Sequence, residues 1–96
     1  KVQLQDRSNV FNTDLIQVLE LGAMLQVAEA IAHSAAQRKE SRGSHQRLDH
    51  PERDDGNYLK HSLANYRGAE PPAVSYCDVT ITRSQPAERV YGGAAA

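Results

Sequence analysis

The residues that could do chemistry are concentrated between positions 45 and 61. Histidine and carboxylate side chains are the usual ligands of transition metals, so this cluster is the first candidate site. Its members are His45, Asp49, His50, Glu52, Asp54, Asp55 and His61. Their spacing matches neither an HExxH helix nor an EF-hand loop, and Arg47 and Arg53 alternate with the carboxylates and compete for them. We therefore interpret this stretch as an ion-paired, solvated loop rather than a metal site.

A second candidate is the string SRGSH at residues 41–45. Gly43 allows a sharp backbone turn, and Arg42 and His45 can bind carbonyl or carboxylate groups. Two interpretations stay open at this point. The pair either anchors the turn to neighbouring structure or faces a substrate.

The remaining candidates for acid–base, nucleophilic or cofactor chemistry are weak. Cys77 lies in a predicted strand without a neighbouring cation, which is typical of a packed or simply exposed thiol. His33 follows Glu29 by one helical turn, so we expect a surface pair rather than a general base. A glycine-rich GxGxxG string is absent, so the sequence does not predict dinucleotide binding of the Rossmann type.

One long helix must position these residues. Asn12 and Thr13 are N-cap candidates, and Asp14 places an acid in the first turn before an apolar run. The pattern predicts a helix over residues 14–40, about 39 Å long at 1.5 Å per residue. Gly22 within it costs about 1 kcal/mol relative to alanine, so either the cost is tolerated or a neighbouring backbone approaches closely.

The polar residues of this helix change side along its length. Gln17 and Glu20 project to one side, whereas Gln26, Glu29 and His33 project to the other. The helix is also too long for a compact chain of this length, because such a chain would have a radius of gyration of about 12 Å. We infer that the helix is buried against material outside these residues, either upstream polypeptide or another subunit.

The rest of the chain predicts little regular structure except a hairpin. Residues 41–57 form a polar loop without regular structure, and residues 58–82 form a hairpin in which positions 58–66 fit either a short helix or a strand. Pro71 and Pro72 prevent pairing where they stand. Residues 83–96 form a tail whose end should fray. The fold class is therefore mainly α with a small β-hairpin, within a single domain over residues 1–96.

Composition excludes several classes of partner. The 96 residues carry eleven basic and twelve acidic side chains, so the net charge of −1 disfavours binding to nucleic acid or to an anionic lipid surface. The single cysteine excludes internal disulfides and fits a reducing compartment. The apolar stretch 15–32 contains glutamines and glutamates and is interpreted as too polar for a membrane span. We expect no signal peptide.

A series of short strings together resembles a known family. They are DRSNVFNTDL (6–15), AEAIAHSA (28–35), RKESRGSH (38–45), PERDD (51–55), LKHSL (59–63), DVTIT (78–82) and RVYGG (89–93). The set is similar to the C-terminal region of the flavoprotein subunit of fumarate reductase and succinate dehydrogenase, and it covers essentially the whole chain. The ESRGSH string is shared with L-aspartate oxidase, but the hairpin and the RVYG ending are more similar to fumarate reductase.

The resemblance implies a fragment of a helical-bundle C-terminal domain that belongs to a longer enzyme. That enzyme would interconvert fumarate and succinate with covalently held FAD and pass electrons through an iron–sulfur subunit to a membrane anchor. In the family the residues that bind FAD and the dicarboxylate lie upstream. We therefore expect no catalytic, cofactor-binding or metal-binding residue here, and an isolated fragment without activity.

The resemblance also implies a supporting role for this segment, at the cytoplasmic face of the cell membrane through partner subunits. Arg42 and His45 would fix the turn against the flavin domain, and the loop with Arg53 and Asp54 would lie near the iron–sulfur subunit. One alternative is a stand-alone helical module that dimerises through residues 15–31. Another is the matching domain of L-aspartate oxidase. The direction of catalysis is not determined by these residues.

Overall fold

The computed structural model describes residues 1–89 of the chain. Its elements are helix α1 (Thr13–Gln37), helix α2 (Asp55–Tyr58), strand β1 (Lys60–Arg67) and strand β2 (Glu70–Asp78). The two strands form one antiparallel sheet. The predicted combination of a long helix and a small hairpin is confirmed. From position 90 onward, the predicted tail 83–96 lies outside the described residues.

Helix α1 begins with a sharp turn. Phe11 has a φ of 47°, which is uncommon for a side chain of this size. The backbone N–H of Thr13 donates to the carbonyl of Phe11 at 2.9 Å, which closes an inverse γ-turn at Asn12. The Asn12 side chain then accepts a hydrogen bond from the N–H of Leu15. Asn12 is therefore the N-cap, as the sequence predicts.

The helix ends at Gln37, three residues before the predicted position. Arg38 has an extended ψ of 103° and donates its own N–H to the carbonyl of Ser34. Its guanidinium reaches the hairpin instead of continuing the helix surface. The cations at Arg38 and Lys39 therefore follow the helix rather than forming its last turn.

The segment that fitted either a helix or a strand is β1. Its residues pair with β2 from Lys60↔Asp78 through Asn65↔Ala73, and the register shifts before Arg67↔Glu70. Pro71 and Pro72 fall in that irregularity without a paired residue, as expected for side chains that lack an N–H. Gly68 has a φ of 70° and supplies the first central position of a type II′ turn.

The prediction that residues 41–57 lack regular structure is wrong at its end. Residues Asp55–Tyr58 form α2, which is one turn long. The Asp54 side chain accepts a hydrogen bond from the N–H of Asn57 and caps this turn. An aspartate at the cap followed by Asp55 in the first turn is a recognised start signal.

The described residues contain no apolar core of their own. Among residues 1–89, the buried side chains are Glu40 and Ser41, and no hydrophobic side chain is buried. The radius of gyration is 19.6 Å and the longest dimension is 63 Å. The helix therefore projects from the rest of the chain, as its predicted length implied.

By length and hydropathy, α1 could cross a membrane. Its most apolar 18-residue window has a mean hydropathy of 1.5, and none of that window is buried. The interpretation of this stretch as too polar for a span is therefore wrong on composition alone, because alanine and the branched residues outweigh Glu20 and Glu29. The core helix of a soluble protein passes the same test.

Candidate functional site

The centre of the polar region is the carboxylate of Glu40, which is fully buried. It receives hydrogen bonds from Arg42, whose Nε lies 2.9 Å from Oε1 and whose Nη2 lies 3.1 Å from Oε2. Arg38 donates from Nη1 to the same Oε1 atom. The backbone N–H of Asp54 donates to Oε2 at 2.9 Å. We call this arrangement the Glu40 cage: Glu40 with Arg38, Arg42 and the Asp54 N–H.

The cage keeps Glu40 ionised. Burial of the carboxyl by itself raises its pKa. Hydrogen bonds from Arg42, the Asp54 N–H and Arg38 outweigh burial and lower the pKa from the ordinary value of 4.5 to about 2. A buried charge that is fully paired in this way stabilises one geometry, because removal of a partner leaves an uncompensated charge.

We expect acid to weaken the fold between about pH 4.5 and about pH 2. The pKa of Glu40 is lower in the folded state, so the unfolded chain binds the extra proton first and the free energy of unfolding falls as the pH falls. Urea unfolding at a series of pH values measures this slope. Glu40→Gln should flatten the slope, whereas Glu52→Gln, at an exposed carboxylate, should not. An unchanged slope in Glu40→Gln would contradict the assignment.

Arg38 connects the helix end to the hairpin. Its Nη1 donates to the carbonyl of Tyr58 at 2.7 Å, and its Nη2 donates to the carbonyl of Lys60 at 2.7 Å and to Ser62 Oγ at 3.0 Å. The guanidinium also lies over the rings of Tyr58 and Tyr76, at 5.5 and 5.7 Å from their centroids. These cation–π contacts fix the plane of the guanidinium. Arg38 was not among the predicted site residues.

Arg42 and Arg53 meet at Asp55. Arg42 Nη2 donates to Asp55 Oδ1 at 2.5 Å, and Arg53 Nη2 donates to Asp55 Oδ2 at 2.9 Å. The structure therefore brings three predicted site residues together, since Asp54 contributes its N–H to the Glu40 cage. The hydrogen bond to Glu40 raises the pKa of Arg42 above its ordinary value.

His45 lies under the end of α1 rather than in the cage. Its Nε2 is 3.2 Å from the carbonyl of Arg38. Arg42 and His45 pair through their backbones, with Gly43 at a φ of 58° in the turn between them. Arg47, not predicted as a site residue, donates from Nη1 to the carbonyls of Ala36 and Arg38. These donors satisfy carbonyls that the helix leaves without an internal partner.

Ser41 ties the loop together from inside. Its Oγ donates to the carbonyl of His50 at 2.7 Å and accepts from the N–H of Arg47 at 2.9 Å. Its own N–H donates to the carbonyl of Glu52. The loop is therefore an ordered structure built on main-chain groups.

The His and carboxylate cluster does not converge. Asp49 pairs with Arg47 and lies 3.7 Å from His50, and Asp55 pairs with the two other arginines. Over residues 1–89, no group of three or more His, Cys, Asp or Glu side chains is placed to hold a metal ion. Cys77 is exposed.

A signal for the cage was present in the sequence. Arg38, Glu40 and Arg42 alternate at every second position, which places all three on one side of an extended segment. The prediction of a helix as far as residue 40 hid this pattern, because side chains two positions apart in a helix point in different directions. The arrangement as a whole positions main-chain groups.

An open groove runs along the outside of the loop. It has a volume of about 750 Å³ and is lined by Arg42, Gly43 and Arg53 together with residues 86–89. The side chain of Arg53 is 19% exposed.

Comparison with known proteins identifies the family. Residues 1–91 match the model described as the C-terminal part of the fumarate reductase flavoprotein. The chain belongs to this family. It is 59% identical over 96 residues to the fumarate reductase flavoprotein subunit of Proteus vulgaris and 57% identical over 95 residues to that of Haemophilus influenzae. The succinate dehydrogenase flavoprotein subunit of Rickettsia felis is 40% identical over 97 residues.

Solved structures of the family share this shape. E. coli quinol fumarate reductase FrdA matches 98% of the chain with a TM-score of 0.81 at 58% identity. A quinol-fumarate reductase with menaquinol molecules matches 91% with a TM-score of 0.79 at 54% identity. The chain spans about 16% of the length of these curated relatives and 16% of the FrdA chain.

Proposed function

We propose that this chain is the C-terminal domain of a longer flavoprotein subunit, here called the full-length subunit, that interconverts fumarate and succinate. The observation that carries the proposal is an identity of 57% or more to fumarate reductase flavoprotein subunits over nearly the whole chain. In this proposal FAD accepts or donates the electrons, and an iron–sulfur subunit carries them onward.

The residues described here do not fit a dinucleotide. A phosphate-binding fingerprint needs glycines between a strand and the start of a helix. The glycines of this segment instead lie within α1, in the loop turn, in α2 and in the hairpin turn, at Gly22, Gly43, Gly56 and Gly68. We therefore assign FAD to the upstream part of the full-length subunit and no chemical step to residues 1–89.

The proposed role of this segment is support and docking within a helical-bundle domain. Arg42 and His45 fix the turn against the flavin domain, and Arg53 and Asp54 lie near the face that meets the iron–sulfur subunit. Support comes from the Glu40 cage, which orders this loop, and from the open groove that Arg53 lines. The iron–sulfur subunit in turn contacts a membrane anchor, which places the assembly at the cytoplasmic face of the cell membrane.

The activity is tested on the full-length subunit purified with its partners. We expect flavin absorption in the visible range and dye turnover that depends on succinate or fumarate. Bound flavin together with oxidation of aspartate would instead identify the full-length subunit as an L-aspartate oxidase. A preparation without flavin would overturn the proposal and would favour the alternative of a stand-alone helical module.

The docking role predicts a defect in Arg42→Ala. This change removes a multidentate donor to Glu40 and Asp55, so the loop loses its fixed position. We expect severalfold less flavin per subunit, or severalfold less iron–sulfur subunit retained on purification. The control is Arg67→Ala, which removes the same side chain at the hairpin tip. Unchanged flavin content and unchanged partner retention in Arg42→Ala would contradict the role.

A further inference from the structure

We propose that the Asp55–Gly56 peptide is a site of spontaneous aspartate isomerisation, which Arg42, Arg53 and the helical turn suppress while the loop is ordered. The product is isoaspartate, in which the main chain runs through the side-chain carboxyl carbon of Asp55. Water is the co-reactant, so the step needs no enzyme or cofactor. The inference concerns the loop alone and does not depend on the proposed function.

Isomerisation proceeds through a five-membered ring. The main-chain nitrogen of Gly56 gives up its proton and bonds to Cγ of Asp55, while one oxygen of the protonated carboxyl group leaves as water and a succinimide forms. A second water then adds to one of the two ring carbonyls and breaks its bond to the nitrogen. Opening at Cγ restores aspartate, whereas opening at the main-chain carbonyl gives isoaspartate. One water is lost and one is gained, and nothing is oxidised or reduced.

Glycine at position 56 favours ring closure, although the fold does not require it. The nitrogen of a residue without a side chain can approach the preceding carboxyl group freely. The φ of Gly56 is not positive, and a Cβ built on it would meet within 4 Å only Asp54 Oδ1, at an ordinary contact distance of 3.5 Å. Alanine therefore fits at this position. The Asp55 side chain is 41% exposed, so water reaches it.

Two arginines hold the carboxylate of Asp55, one at each oxygen. Arg42 Nη2 donates to Oδ1 at 2.5 Å, and Arg53 Nη2 donates to Oδ2 at 2.9 Å. Hydrogen bonds between charged groups are the stronger kind, and these two fix both the position and the plane of the carboxylate. Ring closure needs the reacting atoms aligned and one oxygen free to leave. Both arginines therefore have to release Asp55 before the ring can form.

The helical turn is a second restraint. Asp55 is the first residue of α2, and the N–H of Tyr58 donates to the carbonyl of Asp54 at 2.9 Å across the turn. The ring eclipses Cβ of Asp55 with the nitrogen of Gly56 about the Cα–C bond, and this ψ lies outside the helical range. Ring closure therefore requires the turn to open. Isoaspartate adds a methylene group to the main chain, so the turn cannot close again in the same register.

Incorporation of heavy oxygen tests the proposal on the full-length subunit. The folded protein and the same protein in guanidinium chloride are kept for several weeks in mildly acidic buffer made with H₂¹⁸O, because each ring opening adds one ¹⁸O atom. Digestion in ordinary water and mass spectrometry then measure the label at Asp55. We expect the label to enter the folded protein more slowly by about tenfold or more, because the reaction waits for local opening. Asp54, which no glycine follows, is the internal comparison.

Arg53→Ala tests the arginine pair. Within residues 1–89 the Arg53 side chain donates its hydrogen bond to Asp55, so this change frees Oδ2 and leaves the Glu40 cage intact. We expect labelling to become severalfold faster while exchange of the Asp54 amide, which the cage holds, stays unchanged. The matched control combines Arg53→Ala with Gly56→Ala. Its added methyl group should return labelling to the wild-type rate or below it.

Each of the following results would overturn the proposal. Equal labelling of the folded and unfolded protein would show that the structure does not suppress the reaction. Absence of label in the unfolded protein would show that no reactive site exists. Wild-type labelling in Arg53→Ala, or faster labelling only together with faster exchange of the Asp54 amide, would show that the arginine pair is not the restraint. Unchanged labelling after addition of Gly56→Ala would place the reaction elsewhere.

Discussion

Replacement of Glu40 by glutamine should lower the free energy of unfolding by about 3 kcal/mol. Glutamine keeps the size of the side chain but removes the charge that compensates Arg38 and Arg42. Its amide group also points N–H donors at a guanidinium or at the Asp54 N–H, where only acceptors fit. The loss of stability is large because Arg38 and Arg42 are left without a compensating negative charge, and not merely because one hydrogen bond is removed.

Chemical denaturation of the full-length subunit measures this loss, and hydrogen exchange locates it. Exchange of the Asp54 and Ser41 amides should accelerate, since both belong to the loop that the cage orders. Glu52→Gln makes the same change of charge at an exposed side chain and should stay within about 0.5 kcal/mol of the wild type. Wild-type stability and exchange in Glu40→Gln would show that the cage does not hold the loop.

Replacement of Arg38 by alanine should cost about 2–3 kcal/mol and detach the hairpin from the helix end. The change removes the donor to the carbonyls of Tyr58 and Lys60 and one partner of Glu40. It also removes the cation from the faces of two tyrosines. Hydrogen exchange of the peptide covering residues 58–66 should increase more than that of α1.

Arg38→Lys separates charge from geometry. Lysine keeps the charge but cannot serve four acceptors in one plane, so we expect a loss of stability that is smaller than that of Arg38→Ala. Arg67→Ala is the matched control, because this exposed side chain at the hairpin tip contacts only neighbouring groups of the turn: it donates to the carbonyl of Pro71 at 2.8 Å and lies 3.8 Å from Glu70. It should change stability by less than about 1 kcal/mol. Equal effects of Arg38→Ala and Arg67→Ala would contradict the connecting role.

The sequence predicts the long helix and the hairpin because each has a strong local signal. Asn12 and the apolar run define the start of α1, and Gly68 with the β-rich residues after it defines the turn and second strand. The start differs by one residue from the prediction, whereas the end differs by three. Arg38 leaves the helix to reach carbonyls that lie 20 and 22 residues further along the chain, and such distant partners have no local signature.

The candidate site is predicted in part for the same reason. Arg42 was singled out by its place beside Gly43, and the structure places it on the buried carboxylate. Glu40 was predicted as the last residue of the helix, and nothing in a single charged residue shows that it is buried. Residue types along the loop indicate ion pairs correctly but do not indicate which pair lies inside.

The residues at the ends of the two strands affect whether the sheet can pair with a strand from another molecule. An unpaired strand edge can recruit a strand from another molecule and start aggregation. Here Pro71 and Pro72 follow the first residue of β2 and offer no N–H to an added strand. The outermost paired positions carry charge: Lys60, Arg67, Glu70 and Asp78. These prolines and charges disfavour the addition of a strand from another copy of the chain.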